Sequence, residues 1–371
     1  MAEKTDLNIA PYYDDYDESK NFQKVLYRAG RPLQARELTQ SQSILQNQIE
    51  RFGDHFFEEG SIVTGAQSDV DFDLYYVKVK TENPNSSGDA SAESYRQSYH
   101  GQHLVGQTTG VVAKVISSAA ETTTDKLTLF VRFERQGTDS DHSAVFKAGE
   151  TLVKCGFTDA GVVSEDTSSN NDFTVEQTSE SPVGRCSIAN ISEGVVFIRG
   201  FFCKVDKQEL ILEKYNSKPS YRVGLTIKEE LISAAEDSSL YDNAQGTSNE
   251  NAAGADRFKF TLTLSKIALT STEDANFIEL VRVNKGIIEL KQTRPLYSEI
   301  ENTLARRTFD ANGDFITQQF THNIREHLDD TTNAGFYLKS QGGDDNKFLF
   351  QISPGKAYVK GNEIDKIGTT N

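Results

Sequence analysis

The chain has 371 residues, with 39 Lys+Arg against 55 Asp+Glu, so its net charge is -16. Mean hydropathy is -0.53, and no apolar run reaches the roughly 18 residues of a spanning helix, so no membrane role is expected. A surface this acidic repels phosphate backbones, which argues against nucleic acid as a partner and leaves solubility or a basic partner as its use.

Length allows two or three domains. Residues 1–10 lack the basic start and apolar stretch of a signal peptide. Cys155, Cys186 and Cys203 are too widely spaced for a zinc knuckle and are expected as reduced core residues. There is no Trp, and 22 Phe and 14 Tyr form the aromatic load, a composition suited to half-buried strands.

The first 31 residues lack helical periodicity. An acidic-aromatic arm at 11–17 (Pro11, Tyr12, Tyr13, Asp14, Asp15, Tyr16, Asp17) is followed by a short strand or docking segment at Val25, Leu26 and Tyr27. A helix is then expected over 33–58, with Pro32 just inside its start and Gly53 marking a kink or a close helix contact. Leu38, Leu45, Ile49, Phe52 and Phe56 fall in an a/d pattern, the seam a helix uses against another helix, with Gln42 at a polar core position.

From residue 61 the period changes to two. Strands are expected at 74–80, 110–116 and 126–135, the last two as a hairpin, and β structure again over 145–157. The polar stretch 164–181 is the linker candidate. Strands follow at 195–198, 201–205, 209–212 and 220–231. Residues 232–256 make a long contact loop. Strands at 258–264, 277–284 and 287–291 come next, the last pair turning on Lys285-Gly286, then short helices at 298–309 and 320–328, and strands at 347–352 and 356–359. GVVFIRG at 194–200 and GKAYVKG at 355–361 share one pattern and mark equivalent strands in two small β modules. GSIVTG at 60–65 is a poorer version, read as hairpin punctuation.

The expected fold is therefore mainly β (α+β). An N-terminal arm and helix (1–60) precede two small antiparallel β domains (61–163 and 182–371) joined by the linker at 164–181.

Little catalytic chemistry is legible. His100 and His103 want further ligands to hold a metal, and His322 and His327 have the wrong spacing for one helix face. Asp69, Asp71 and Asp73 alternate along a strand. Asp310, Asn312, Gly313 and Asp314 look like the front of a calcium loop, but Thr321 stands where the bidentate Glu belongs, so a turn explains them better. Arg306 and Arg307 beside Phe309 read as an interface or salt-bridge element. No phosphate loop, dinucleotide fingerprint or nucleophile elbow occurs. No catalytic residue, metal or cofactor is assigned, and no enzyme is expected.

NIAPYYDDYDESKNFQKVLYRAGRPLQARELTQSQSILQNQIERFGDHFFEEGSIVTG at 8–65 resembles the opening of an uncharacterised family of virion proteins of contractile-tailed phages, notably myoviruses that infect cyanobacteria. SLYDNAQGTSNENAAGADRFKFTLTLSK (239–266), ENTLARRTFDANGDF (301–315) and SPGKAYVKGNEIDKIGTT (353–370) fit the same family, whose members often continue beyond the last of these. The resemblance implies a structural role in the tail baseplate or at tail-fibre attachment, in the virion, for a chain made in the host cytoplasm. The partners expected are a homotrimer of the chain itself and other tail proteins. The partner-binding residues expected are Tyr12, Tyr13 and Tyr16 of the arm, reaching a neighbouring subunit, and Leu38, Leu45, Ile49, Phe52 and Phe56 of the helix. The alternative is a receptor- or glycan-binding fibre or spike protein meeting host surface polysaccharide. A depolymerising hydrolase is the third reading.

Overall fold

The computed structural model describes residues 4–84, 91–158, 163–166, 171–271, 274–292, 295–297, 299–329, 335, 337–339, 343–367 and 369. In chain order its elements are α1 (Ala35–Phe56), β1 (Ile62–Gly65), β2 (Ser68–Lys78), α2 (Ala92–Tyr95), β3 (His103–Gly106), β4 (Val112–Ala119), β5 (Thr128–Arg135) and β6 (Thr151–Phe157). Then come β7 (Val163–Glu165), β8 (Phe173–Thr174), β9 (Val183–Ile191), β10 (Gly194–Ile198), β11 (Phe201–Val205), β12 (Gln208–Glu213), β13 (Tyr221–Ile232), β14 (Arg257–Ala268), β15 (Phe277–Asn284) and β16 (Ile287–Lys291). The last are α3 (Glu299–Asn312), β17 (Phe315–Gln318), β18 (His322–Glu326), β19 (Leu328–Asp329), β20 (Tyr337–Leu338), β21 (Phe348–Ile352), β22 (Gly355–Val359) and β23 (Asn362–Lys366). The protein is mainly β, with small antiparallel sheets and one long N-terminal helix.

Three elements differ from the sequence reading. Pro32 lies outside α1, whose first turn is closed instead by a capping box between Gln34 and Glu37. Residues 25–27 form no strand. The expected helix at 320–328 is the strand β18, paired residue for residue with β21; cross-strand pairing overrode its helical pattern.

The chain folds into two compact units rather than serial domains. One comprises Met1–Asp69, Asn190–Gln208 and Tyr221–Asn371; the other comprises Val70–Ala189 and Glu209–Ser220. The second unit is built on the sheet β12-β9-β2-β5-β4-β3-β6-β7, with β8 on β6. Val77, Leu104, Val115, Leu129, Val131 and Leu152 form its core. The expected linker at 164–181 belongs to this unit. Its Phe173 is fully buried, with the Tyr95 and Tyr99 rings 5.1 and 5.0 Å away; residues 167–170 of that stretch lie outside the described residues. Phe173 together with Val175, also fully buried, brings this polar stretch into the core.

The first unit contains one design twice. α1 leads into β1, which pairs with the β10–β11 hairpin in the order β1-β10-β11. α3 leads into β17, which pairs with the β22–β23 hairpin in the order β17-β22-β23. The hairpins turn on Arg199-Gly200 (φ 48 and 76) and Lys360-Gly361 (φ 51 and 78). Positive φ at both central residues is the I′ turn, whose twist matches the flanking strands.

Ahead of each first strand an acid accepts from the turn: the Arg199 N–H donates to Glu59 Oε2 at 2.8 Å, and the Lys360 N–H to Asp314 Oδ1 at 2.7 Å. Ahead of each hairpin a serine makes the same two bonds. The Ser192 N–H donates to the Gln67 carbonyl (3.0 Å) and its Oγ accepts from the Gln67 N–H (2.9 Å). Ser353 does the same with Thr321, at 2.8 Å in both bonds. Each turn glycine abuts its helix: a Cβ on Gly200 would lie 2.8 Å from Glu50 Cβ, and one on Gly361 would lie 1.7 Å from the Ala305 carbonyl.

Past these serines each copy extends as a two-stranded ribbon, β2 with β9 in the first and β18 with β21 in the second. The strands of the first ribbon are joined through 79–182, most of the second unit, whereas those of the second are joined through 327–347. A four-stranded sheet, β14-β13-β15-β16, completes the first unit, its β15–β16 turn again a basic residue and glycine, Lys285-Gly286.

Candidate assembly interface

The candidate site is the surface around α1. The helix buries the face opposite to its seam. Ser43, Ile44, Asn47 and Gly53 point inward, and at position 53 only glycine fits: a Cβ there would lie 2.4 Å from the Phe197 ring. Gln46 Nε2 donates to the Gly200 carbonyl at 2.8 Å. Beyond the helix end, the Phe57 ring lies 5.8 Å from both Phe197 and Phe202 and 5.9 Å from Tyr297. The close approach at Gly53 is therefore to a strand, β10, and not to another helix.

The seam faces the other way. Leu38, Leu45, Ile49 and Phe52 are 46–65% exposed, Phe56 is half-buried and Gln42 is exposed. α1 touches α3, but that contact leaves the four seam residues open.

The arm does not extend from its own body. Glu229 receives the Lys4 and Thr5 N–H groups at 3.0 and 2.8 Å and also bonds the Thr5 hydroxyl and the Arg199 guanidinium. Tyr12 donates to Asp256 Oδ2 at 2.6 Å, and that bond, with burial, raises the Tyr12 pKa. Asp14 is buried and accepts from Ser43. Arg36 bonds Asp15 at 2.7 Å, Arg51 pairs with Glu18, and Gln48 reaches Gln23 at 3.1 Å. Tyr16 is half-buried, and burial raises its pKa; of the three expected tyrosines only Tyr13 is exposed. The arm's acids matched cations and hydroxyls on the chain's own helix, a match that residue spacing does not reveal. The outward-facing stretch is the next one: Phe22, Leu26, Tyr27 and Leu33 are all exposed.

Arg199 is the hub that sequence reading missed, though it closes the repeated GVVFIRG pattern. It is 6% exposed and bonds Glu229, the Ala275 carbonyl (3.0 Å) and Asn276 Oδ1 (2.7 Å). Lys4 Nζ shares that Asn276 oxygen at 2.8 Å. Burial opposes ionisation of Glu229, but the bonds from Thr5, Lys4 and Arg199 outweigh it and hold the carboxyl below its usual range.

The other candidates are placed as follows. Asp69, Asp71 and Asp73 pair with Lys291, Arg132 and Arg185. His100 and His103 bond Ser118 and Glu134 at 2.8 and 3.0 Å. Asn312-Gly313 closes α3, with the Gly313 N–H on the Phe309 carbonyl at 2.8 Å. The loop at 232–256 is present, latched where Tyr241 bridges Ala253. The three cysteines are buried, and burial pushes their thiols up, Cys155 and Cys203 to about 11 and Cys186 to about 12. Among the described residues no three His, Cys, Asp or Glu side chains gather as a metal site, and no helix is long and apolar enough to cross a membrane. A shallow depression of about 520 Å³ lies by Lys285, His327, Tyr337 and Phe348; among the described residues no carboxylate lines it.

Fold and surface together define a β-rich protein built on a duplicated helix–hairpin unit, with apolar residues turned outward on its long helix. The chain belongs to the family described as a domain of unknown function (DUF4815), which it matches over residues 10–84 and 179–371. The match takes in both copies of the unit and leaves out 85–178, most of the inserted second unit. No curated protein and no solved structure matches the chain.

Proposed function

We propose that this chain is a non-enzymatic structural protein of a phage virion, placed in the tail baseplate or at tail-fibre attachment, and that it assembles as a homotrimer through α1. The observation that carries the reading is the exposed seam Leu38, Leu45, Ile49 and Phe52 on a helix whose opposite face is already packed. Apolar residues at a/d spacing are self-complementary, so the same helix of further copies covers them best. The exposed stretch Phe22–Leu33 widens that surface. The resemblance to contractile-tail virion proteins supplies the location, and other tail proteins are the further partners.

Sedimentation of the purified chain tests the assembly. The expected mass is a multiple of three times 41.2 kDa, and Ile49→Asp with Phe52→Asp removes the threefold. An unchanged mass in that double variant sinks the role of the helix. Antibody against the chain should decorate the tail end of particles from the encoding phage; label confined to the capsid would refute the location.

A further inference from the structure

The second copy of the unit leaves its ribbon open. In the first copy β2 and β9 sit inside the larger sheet, with β5 beyond β2 and β12 beyond β9. β18 and β21 pair only with each other among the described residues. An isolated two-stranded ribbon is marginal in water, and an open edge is a template for another strand. Every residue of β18 is exposed. Its register sets His322, Ile324 and Glu326 opposite Ile352, Phe350 and Phe348, so Ile324, Phe348 and Phe350 share one face, and all three are exposed.

We propose that β18 is a self-pairing edge, across which β18 of a second copy of this chain adds antiparallel about a two-fold axis to give the sheet β21-β18-β18-β21. The sequence of the strand decides the occupant. In an antiparallel pair centred on Ile324, His322 faces the partner's Glu326, Asn323 faces the partner's Arg325, and Ile324 meets the partner's Ile324. Every polar residue finds a hydrogen-bonding or opposite-charge neighbour, and no like charges meet. Such a two-fold contact is isologous and closes, so it stops at two copies and does not propagate an edge into fibres. The apolar stripe Ile324, Phe348 and Phe350 becomes continuous across four strands. This contact is independent of α1 and of any place in a virion.

The test is sedimentation equilibrium of the full chain carrying Ile49→Asp and Phe52→Asp, so that α1 contributes nothing. The expected mass is twice 41.2 kDa. Ile324→Lys sets two ammonium groups against each other at the axis and returns the mass to 41.2 kDa. Glu326→Lys alone weakens the dimer about tenfold, since two cross-strand pairs are lost at once. His322→Glu combined with Glu326→Lys exchanges the charges and restores it. A monomeric parent overturns the proposal and leaves the edge to some other polypeptide. A dimer that survives Ile324→Lys, or a charge exchange that fails to restore pairing, overturns it equally. Loss of the threefold in the α1 variant with the two-fold retained separates the fate of this contact from that of the helix reading.

Discussion

The two copies of the helix–hairpin unit share a turn type, an acid that caps the turn, a serine clasp and a glycine pressed on a helix, yet one is sealed and the other open. In the first copy Ile62, Val196 and Cys203 stand in register on one face, and all are buried. The β13–β16 sheet covers that face: the Phe201 ring lies 5.1 Å from Phe260, and Gln208 Nε2 donates to the Leu262 carbonyl at 2.8 Å. The equivalent face of the second copy carries Ile316, Ala357 and Ile364 in register, with Ile316 63% and Ile364 48% exposed. Backbone design is therefore independent of burial here. What changes is side-chain reach. Arg199 forks to Glu229 of β13 and to Ala275 and Asn276 in the turn before β15, as a guanidinium can, whereas Lys360 stands in the open at the matching position.

The largest expected effect tests that difference directly. Ile62→Asp buries a carboxylate with no partner and should cost more than about 4 kcal/mol, enough to unfold the first unit. Ile316→Asp, at the equivalent place, should change stability by less than about 0.5 kcal/mol. Urea denaturation of both variants measures it; comparable losses would mean that the second face is covered in the isolated chain. Next in size is the hub. Arg199→Ala strands Glu229, whose carboxylate is as buried as the guanidinium, at a cost of about 3–5 kcal/mol. Lys360→Ala should cost no more than about 0.5 kcal/mol. If both are mild, the covering sheet is held by its apolar contacts rather than by the ion pair.

How much of this was legible depended on whether a signal was local. The GVVFIRG and GKAYVKG segments carried their own turn chemistry, so β10–β11 and β22–β23 were readable as equivalent strands, and Lys285-Gly286 as a turn. The ribbon around them was not, because β2 finds β9 more than a hundred residues away. The a/d spacing of Leu38, Leu45 and Ile49 located α1, but not which face it turns outward; Gly53 decides that by fitting close to Phe197, and Ser43 by meeting the buried Asp14. The site around Arg199 was invisible because its partners, Glu59, Glu229 and Asn276, come from three separate stretches. The linker reading failed on Phe173 and Val175, two side chains whose burial outweighs their polar surroundings.

The smallest effect separates the two acids around Arg199 by sign. Glu229 is held below its ordinary value, so its contribution to stability is full above the unfolded carboxyl value of about 4.3 and is lost as pH falls through the lower folded value. Glu59 is held above its ordinary value because burial outweighs the bond from the Arg199 N–H. In that window its folded form binds the proton first, so it adds stability as pH falls. Glu229→Gln should therefore flatten the acid side of the stability profile, and Glu59→Gln should steepen it, when unfolding free energy is measured between about pH 3 and 6. Gln at position 59 keeps an oxygen for the Arg199 N–H, so the turn survives and the slope alone reports. Slopes that move in the same direction would show that the two carboxyls titrate as one coupled site across Arg199, making the cap of the turn and the clamp on the sheet a single device, one that Lys360 and Asp314 hold only in part.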